Sequence, residues 1–90
     1  MVEGKTKSGF KFKINENIIN DWDFVTLSDT LHRGEGSMKD VNTLFTMVLG
    51  SDGVEKLKEH IRKKHDGIVD ANVMRDEFAE IIASAKETKN

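Results

Sequence analysis

Ser37–Leu49, SMKDVNTLFTMVL, is the stretch on which the fold turns. At helical spacing Val41, Leu44, Phe45 and Val48 share one face, and Met38, Met47 and Leu49 widen it. A helix apolar over so much of its circumference needs cover from several sides. Ser37 with Asp40 three residues on reads as an N-cap with a capping box in which Asp stands where Glu or Gln is usual. Gly50 then supplies a left-handed stop. The pattern predicts a central helix with shorter elements packed round it.

The totals set the frame. A chain of 90 residues makes one domain, divided by pattern into a hairpin over 1–14, a helical bundle over 20–86 and a frayed tail over 87–90. Charged residues are 33% of the chain, yet the formal net charge is only −2, so no global basic field draws in nucleic acid. The absence of Cys removes disulfides, zinc–thiolate sites and thiol nucleophiles together and fits the cytosol. No apolar run approaches the roughly 20 residues of a membrane span, and no signal-peptide core opens the chain, so no membrane is expected.

Working outward towards the N-terminus, Phe10, Phe12 and Ile14 alternate with Lys11 and Lys13, the period-two pattern of a half-buried strand. Glu3–Lys7 is the first strand and Ser8-Gly9 the tight turn of a β-hairpin. Ile18-Ile19 form a short turn. Asn20 or Asp21 caps a helix running to about Arg33, with Phe24, Leu27 and Leu31 on its core face. Trp22 and Val25 lie off that face. A lone Trp at a helix start is either a lid on the core or an interface anchor.

Towards the C-terminus, Ser51 caps a third helix over about Asp52–Lys64 with a narrow apolar stripe of Val54, Leu57 and Ile61. Asp66-Gly67 ends it, Ile68-Val69 plug the core, and Asp70 caps the last helix. There Met74, Phe78, Ile81, Ile82 and Ala85 recur at i, i+4, i+7, i+8 and i+11. The fold class expected is mainly α, a compact four-helix domain with a short N-terminal β-hairpin.

Few residues are placed for chemistry. Gly34-Glu35-Gly36 lacks the strand and the spacing of a nucleotide-binding loop. His60 and His65 are five apart and face different sides of a helix, so no shared metal is expected. No Ser sits in a nucleophile elbow. Neither catalytic residues nor a cofactor is expected, and the chain does not read as an enzyme. Lys56, Lys58, Arg62, Lys63 and Lys64 make a basic helix face suited to phosphates, although Glu55 and Glu59 interrupt it and base-reading side chains are missing at the helix start.

Four segments carry a family likeness. They are the opening GKTKSGFKFKI, the Asn-Asp-Trp-Asp-Phe step into a helix at 20–24, the apolar helix closing in LG-SDGVEKLKEHIRKKHDG, and VMRDEFAEII before a polar tail. In this order and at this size the chain resembles the tail assembly chaperones of long-tailed (siphovirus-type) bacteriophages and Gram-positive prophages. Asp70-Ala71 departs from that pattern, which has Pro near the start of the last helix. The resemblance implies a non-enzymatic helper in the bacterial host cytoplasm, absent from the mature virion. Such a helper keeps the apolar helices of the tape-measure protein soluble and helps recruit the major tail protein. It also implies a longer frameshifted form, and Lys89-Asn90 is compatible with an A-rich slippery heptamer in the gene.

A chaperone of this kind needs adaptable apolar surface. Either some of Trp22, Met38, Met47 and Met74 line a groove for tape-measure helices, or all four belong to the core. Self-association is left open. Two other functions compete: a small nucleic-acid-binding regulator using the basic face of the third helix, and a structural head–tail joining protein.

Overall fold

The computed structural model describes residues 1–89. Strands β1 (Val2–Lys5) and β2 (Lys11–Ile14) form an antiparallel hairpin, and a short 3-10 turn covers Glu16–Asn20. Three helices follow: α1 (Trp22–His32), α2 (Met38–Lys64) and α3 (Ala71–Lys89). The helix of α3 extends past the expected end of the bundle through most of the predicted frayed tail, and Asn90 lies outside the described residues.

The hairpin follows from its alternation. Val2 pairs with Ile14 and Gly4 with Phe12, which places Phe12 and Ile14 on the buried face and leaves Lys11 and Lys13 in solvent. A Cβ on Gly4 would stand 2.6 Å from Phe12 Cζ, so glycine is what lets the ring cross the neighbouring strand. Because Lys5 pairs with Lys11, the connection is the wider Thr6–Phe10 loop and not a two-residue turn at Ser8-Gly9. Thr6 N–H donates to the Phe10 carbonyl (2.9 Å), and Gly9 N–H donates to the Thr6 carbonyl (2.9 Å).

Each helix starts where its capping residue stands. The Asp21 carboxylate accepts from Phe24 N–H at 3.0 Å. Ser37 and Asp40 form the reciprocal box: Asp40 Oδ2 accepts from Ser37 N–H (2.9 Å), and Ser37 Oγ accepts from Asp40 N–H (3.4 Å). Asp70 Oδ1 accepts from both Asn72 and Val73 N–H (2.8 and 3.1 Å).

Three helices stand where four were expected. The expected second and third are one span, bent at Gly50, whose φ of 76° and ψ of 162° are not helical. The stretch from Ser51 therefore continues directly from the bend with no loop between. The bend is large. Phe45 and Lys58, which thirteen positions of straight helix would hold about 20 Å apart, line the same cleft. The two halves of α2 are folded back beside one another.

The core lies where hairpin, α2 and α3 meet. Ile14, Leu57, Ile61 and Ile81 are its largest fully buried side chains, joined by Phe12, Phe24, Phe45 and Ala85. Phe45 and Phe78 stack with ring centroids 4.2 Å apart. Ile68 was expected to plug this core beside Val69. Instead it is 63% exposed, because Asp66 and Gly67 both turn through positive φ and carry it outward, while Val69 stays half-buried. Among the described residues no helix is long and apolar enough to cross a membrane.

Candidate functional site

Of the four residues singled out for a partner groove, two share a cleft and two stand elsewhere. Met38 and Met74 come together across a cleft of about 150 Å3 between the start of α2 and the start of α3. Val41, Phe45 and Val69 form its floor, Met38 is a lip at 61% exposure, and Lys58 and Arg75 stand at its rim. Met47 is half a turn round α2 from Met38, at nine positions' separation, and faces a separate shallow depression with Lys39 and Thr43. Trp22 lines neither.

Trp22 is 83% exposed and takes no part in the core cluster. It is therefore no lid. Val25, one turn along α1, is 50% exposed, so the two make an apolar knob, flanked in sequence by Asp21 and Asp23. Trp22→Ala is expected to change the unfolding free energy by no more than about 0.5 kcal/mol. Urea denaturation followed by circular dichroism checks this; a loss of 2 kcal/mol or more would mean that the indole packs on the core.

The basic helix face is also redistributed. Lys58 pairs with Glu55 (3.2 Å) and Arg62 with Glu59 (2.7 Å). Lys64 Nζ donates to the Ser8 carbonyl (2.6 Å). Among the described residues Lys56 and Lys63 have no such partner, and the hairpin adds to them: Lys5, Lys11 and Lys13 share one open depression with Lys56, and Lys11 shares the next with Lys56 and Lys63. Glu3, paired with Lys13 at 3.6 Å, and Asp52 interrupt this patch.

One polar cluster escaped the sequence reading. Glu77 is only 3% exposed and stands inside the apolar stripe of α3, between Met74 and Ile81. A buried carboxylate needs donors, and the hairpin loop supplies them. Thr6 Oγ donates to Glu77 Oε1 (3.1 Å), and the Ser8 hydroxyl donates to the same oxygen. His60 Nε2 lies 3.0 Å from Ser8 Oγ, and its ring packs on Phe10 with centroids 5.6 Å apart. The cluster ties the hairpin loop to both α2 and α3. Lys7 N–H, donating to Glu80 at 2.9 Å, completes the fastening of the loop to α3. The signal available in sequence was a lone acid at an apolar position of a helix stripe.

Among the described residues no three or more His, Asp or Glu side chains gather as a metal site. What the surface does offer is an apolar cleft with a basic rim, an apolar knob with acidic neighbours, and a lysine patch. Comparison of the chain with protein-family models, with curated proteins and with solved structures finds no match.

Proposed function

We propose that the protein is a non-enzymatic tail assembly chaperone of a long-tailed phage or Gram-positive prophage, binding the tape-measure protein and helping to recruit the major tail protein in the host cytoplasm. The observation that carries this reading is the set of large apolar side chains left outside a core that is complete without them. Trp22, Val25, Met38 and Ile68 are 50 to 83% exposed. A protein that shields the apolar helices of a client needs such surface, and Met and aromatic side chains adapt to varied partners. The four segments that resemble the family agree with this. In the same reading the two halves of α2 act as separate helices about Gly50, which gives the four-helix arrangement expected of the family.

A specific observation favours a second reading, a nucleic-acid-binding regulator: Lys5 and Lys11 extend the Lys56 and Lys63 surface across two elements. Phosphate contacts by lysine are point-charge contacts and fall away steeply with salt.

Co-expression with the tape-measure protein separates the two. The expected result is that the tape-measure protein stays soluble and co-purifies, while the chaperone alone is not retained on DNA at low ionic strength. An insoluble tape-measure protein with nothing co-purifying ends the chaperone reading. Salt-sensitive retention on DNA in its place establishes the regulator.

A further inference from the structure

The knob on α1 and the cleft between α2 and α3 match one another in shape and in charge. A volume of about 150 Å3 in an apolar cavity accommodates one benzene-sized group, the size of the six-membered ring of an indole. Met38 and Met74 border that space, and thioether sulfur makes favourable contacts with aromatic rings. Lys58 in the lining is already paired with Glu55, which leaves Arg75 as the cation there placed to face a ring or a carboxylate. Among the described residues Arg75 has one polar partner, the neutral Asn72 Oδ1, at 3.1 Å. The acids beside the cleft are engaged: Asp70 and Asp40 cap helices, and Glu55 pairs with Lys58.

The matching occupant is on the same chain. Trp22 is the largest exposed apolar side chain, and it stands between Asp21 and Asp23. It lines no part of its own cleft, standing at the first of the eleven residues of α1, about 15 Å along the helix from the turn into α2.

We propose that the chain associates with itself by inserting Trp22 of one copy between Met38 and Met74 of another, with Asp23 meeting Arg75 across the contact. Knob and cleft are different surfaces, so two copies either exchange knobs about a two-fold axis or join head to tail. The contact is small and built on one anchor, which makes the association weak and concentration-dependent. It concerns the affinity of the chain for itself and stands whether or not a tape-measure protein is its client.

The experiment is sedimentation equilibrium of the full chain, with the intrinsic fluorescence of Trp22, the single tryptophan, recorded over the same concentrations. The expected result is a rising mean mass with a shift of emission to shorter wavelength as the indole leaves water. Trp22→Ala and Met38→Glu, both at exposed positions, each weaken association at least tenfold. Mixed together, they restore a heterodimer, since one supplies an intact cleft and the other an intact knob. Circular dichroism confirms that both variants are folded. The proposal is overturned if the wild-type chain stays monomeric with unshifted emission, if Met38→Glu associates as well as wild type, or if the mixture stays monomeric.

Discussion

Leu57→Ala should lower the unfolding free energy by about 2–5 kcal/mol. Leu57 has no exposed surface and lies in the second half of α2, within the cluster that includes Ile14, Ile61 and Ile81. Truncation removes its transfer free energy and leaves a cavity that three separate elements would have to close together. For a chain of this size the total stability is about 5–13 kcal/mol, so this one change removes a large fraction of it. Urea denaturation measures the effect as a lower midpoint at unchanged slope. A loss below about 1 kcal/mol, the size of an ordinary surface or mild core change, would mean that the second half of α2 is not packed beneath the hairpin as described.

Gly50→Ala is the second large effect, and its cause is of another kind. At φ 76° and ψ 162° the backbone occupies a region that is essentially reserved for glycine. A Cβ at this position would meet nothing within 4 Å. The cost is therefore conformational and not steric, about 1–3 kcal/mol. Alanine also favours continuing the helix, which would swing Lys58 away from Phe45 and open the cleft between α2 and α3. The expected observation is a lower melting temperature. An unchanged melting temperature with greater helical ellipticity would show that the chain tolerates a straight α2.

Much of this architecture was legible in the residues. The alternation from Phe10 to Ile14, the caps at Asp21, Ser37 and Asp70, and the stripes of α1 and α3 are local signals, and local signals survive into the fold. Gly50 was legible as a change of direction. Its consequence was not, because periodicity cannot say whether two helical stretches are divided by a loop or by one residue. Ile68 was misplaced for a similar reason: hydrophobicity gives the preference for burial, while two positive-φ residues just before it decide which way the chain leaves the helix. The site was less legible. Four separated apolar residues gave no sign that Met38 and Met74 would meet and that Met47 and Trp22 would not, since that depends on how the helices cross. Glu77 was hidden because its partners lie some 70 positions away, at Thr6 and Ser8.

That separation has a bearing on how the chain is made. Phe10, Phe12 and Ile14 are synthesised before the residues that cover and fasten the hairpin, from Leu57 through Glu77 to Ile81. At about 5–20 residues per second, the 67 residues from Asn15 through Ile81 take roughly 3–13 seconds to synthesise. Until α3 follows, the apolar face of the hairpin is only partly covered and its loop lacks the Glu77 side chain that fastens it. Lys11 and Lys13, alternating with the exposed phenylalanines, are then the charges that keep the nascent strand from pairing with its neighbours. Their service to the protein is concentrated before it is folded.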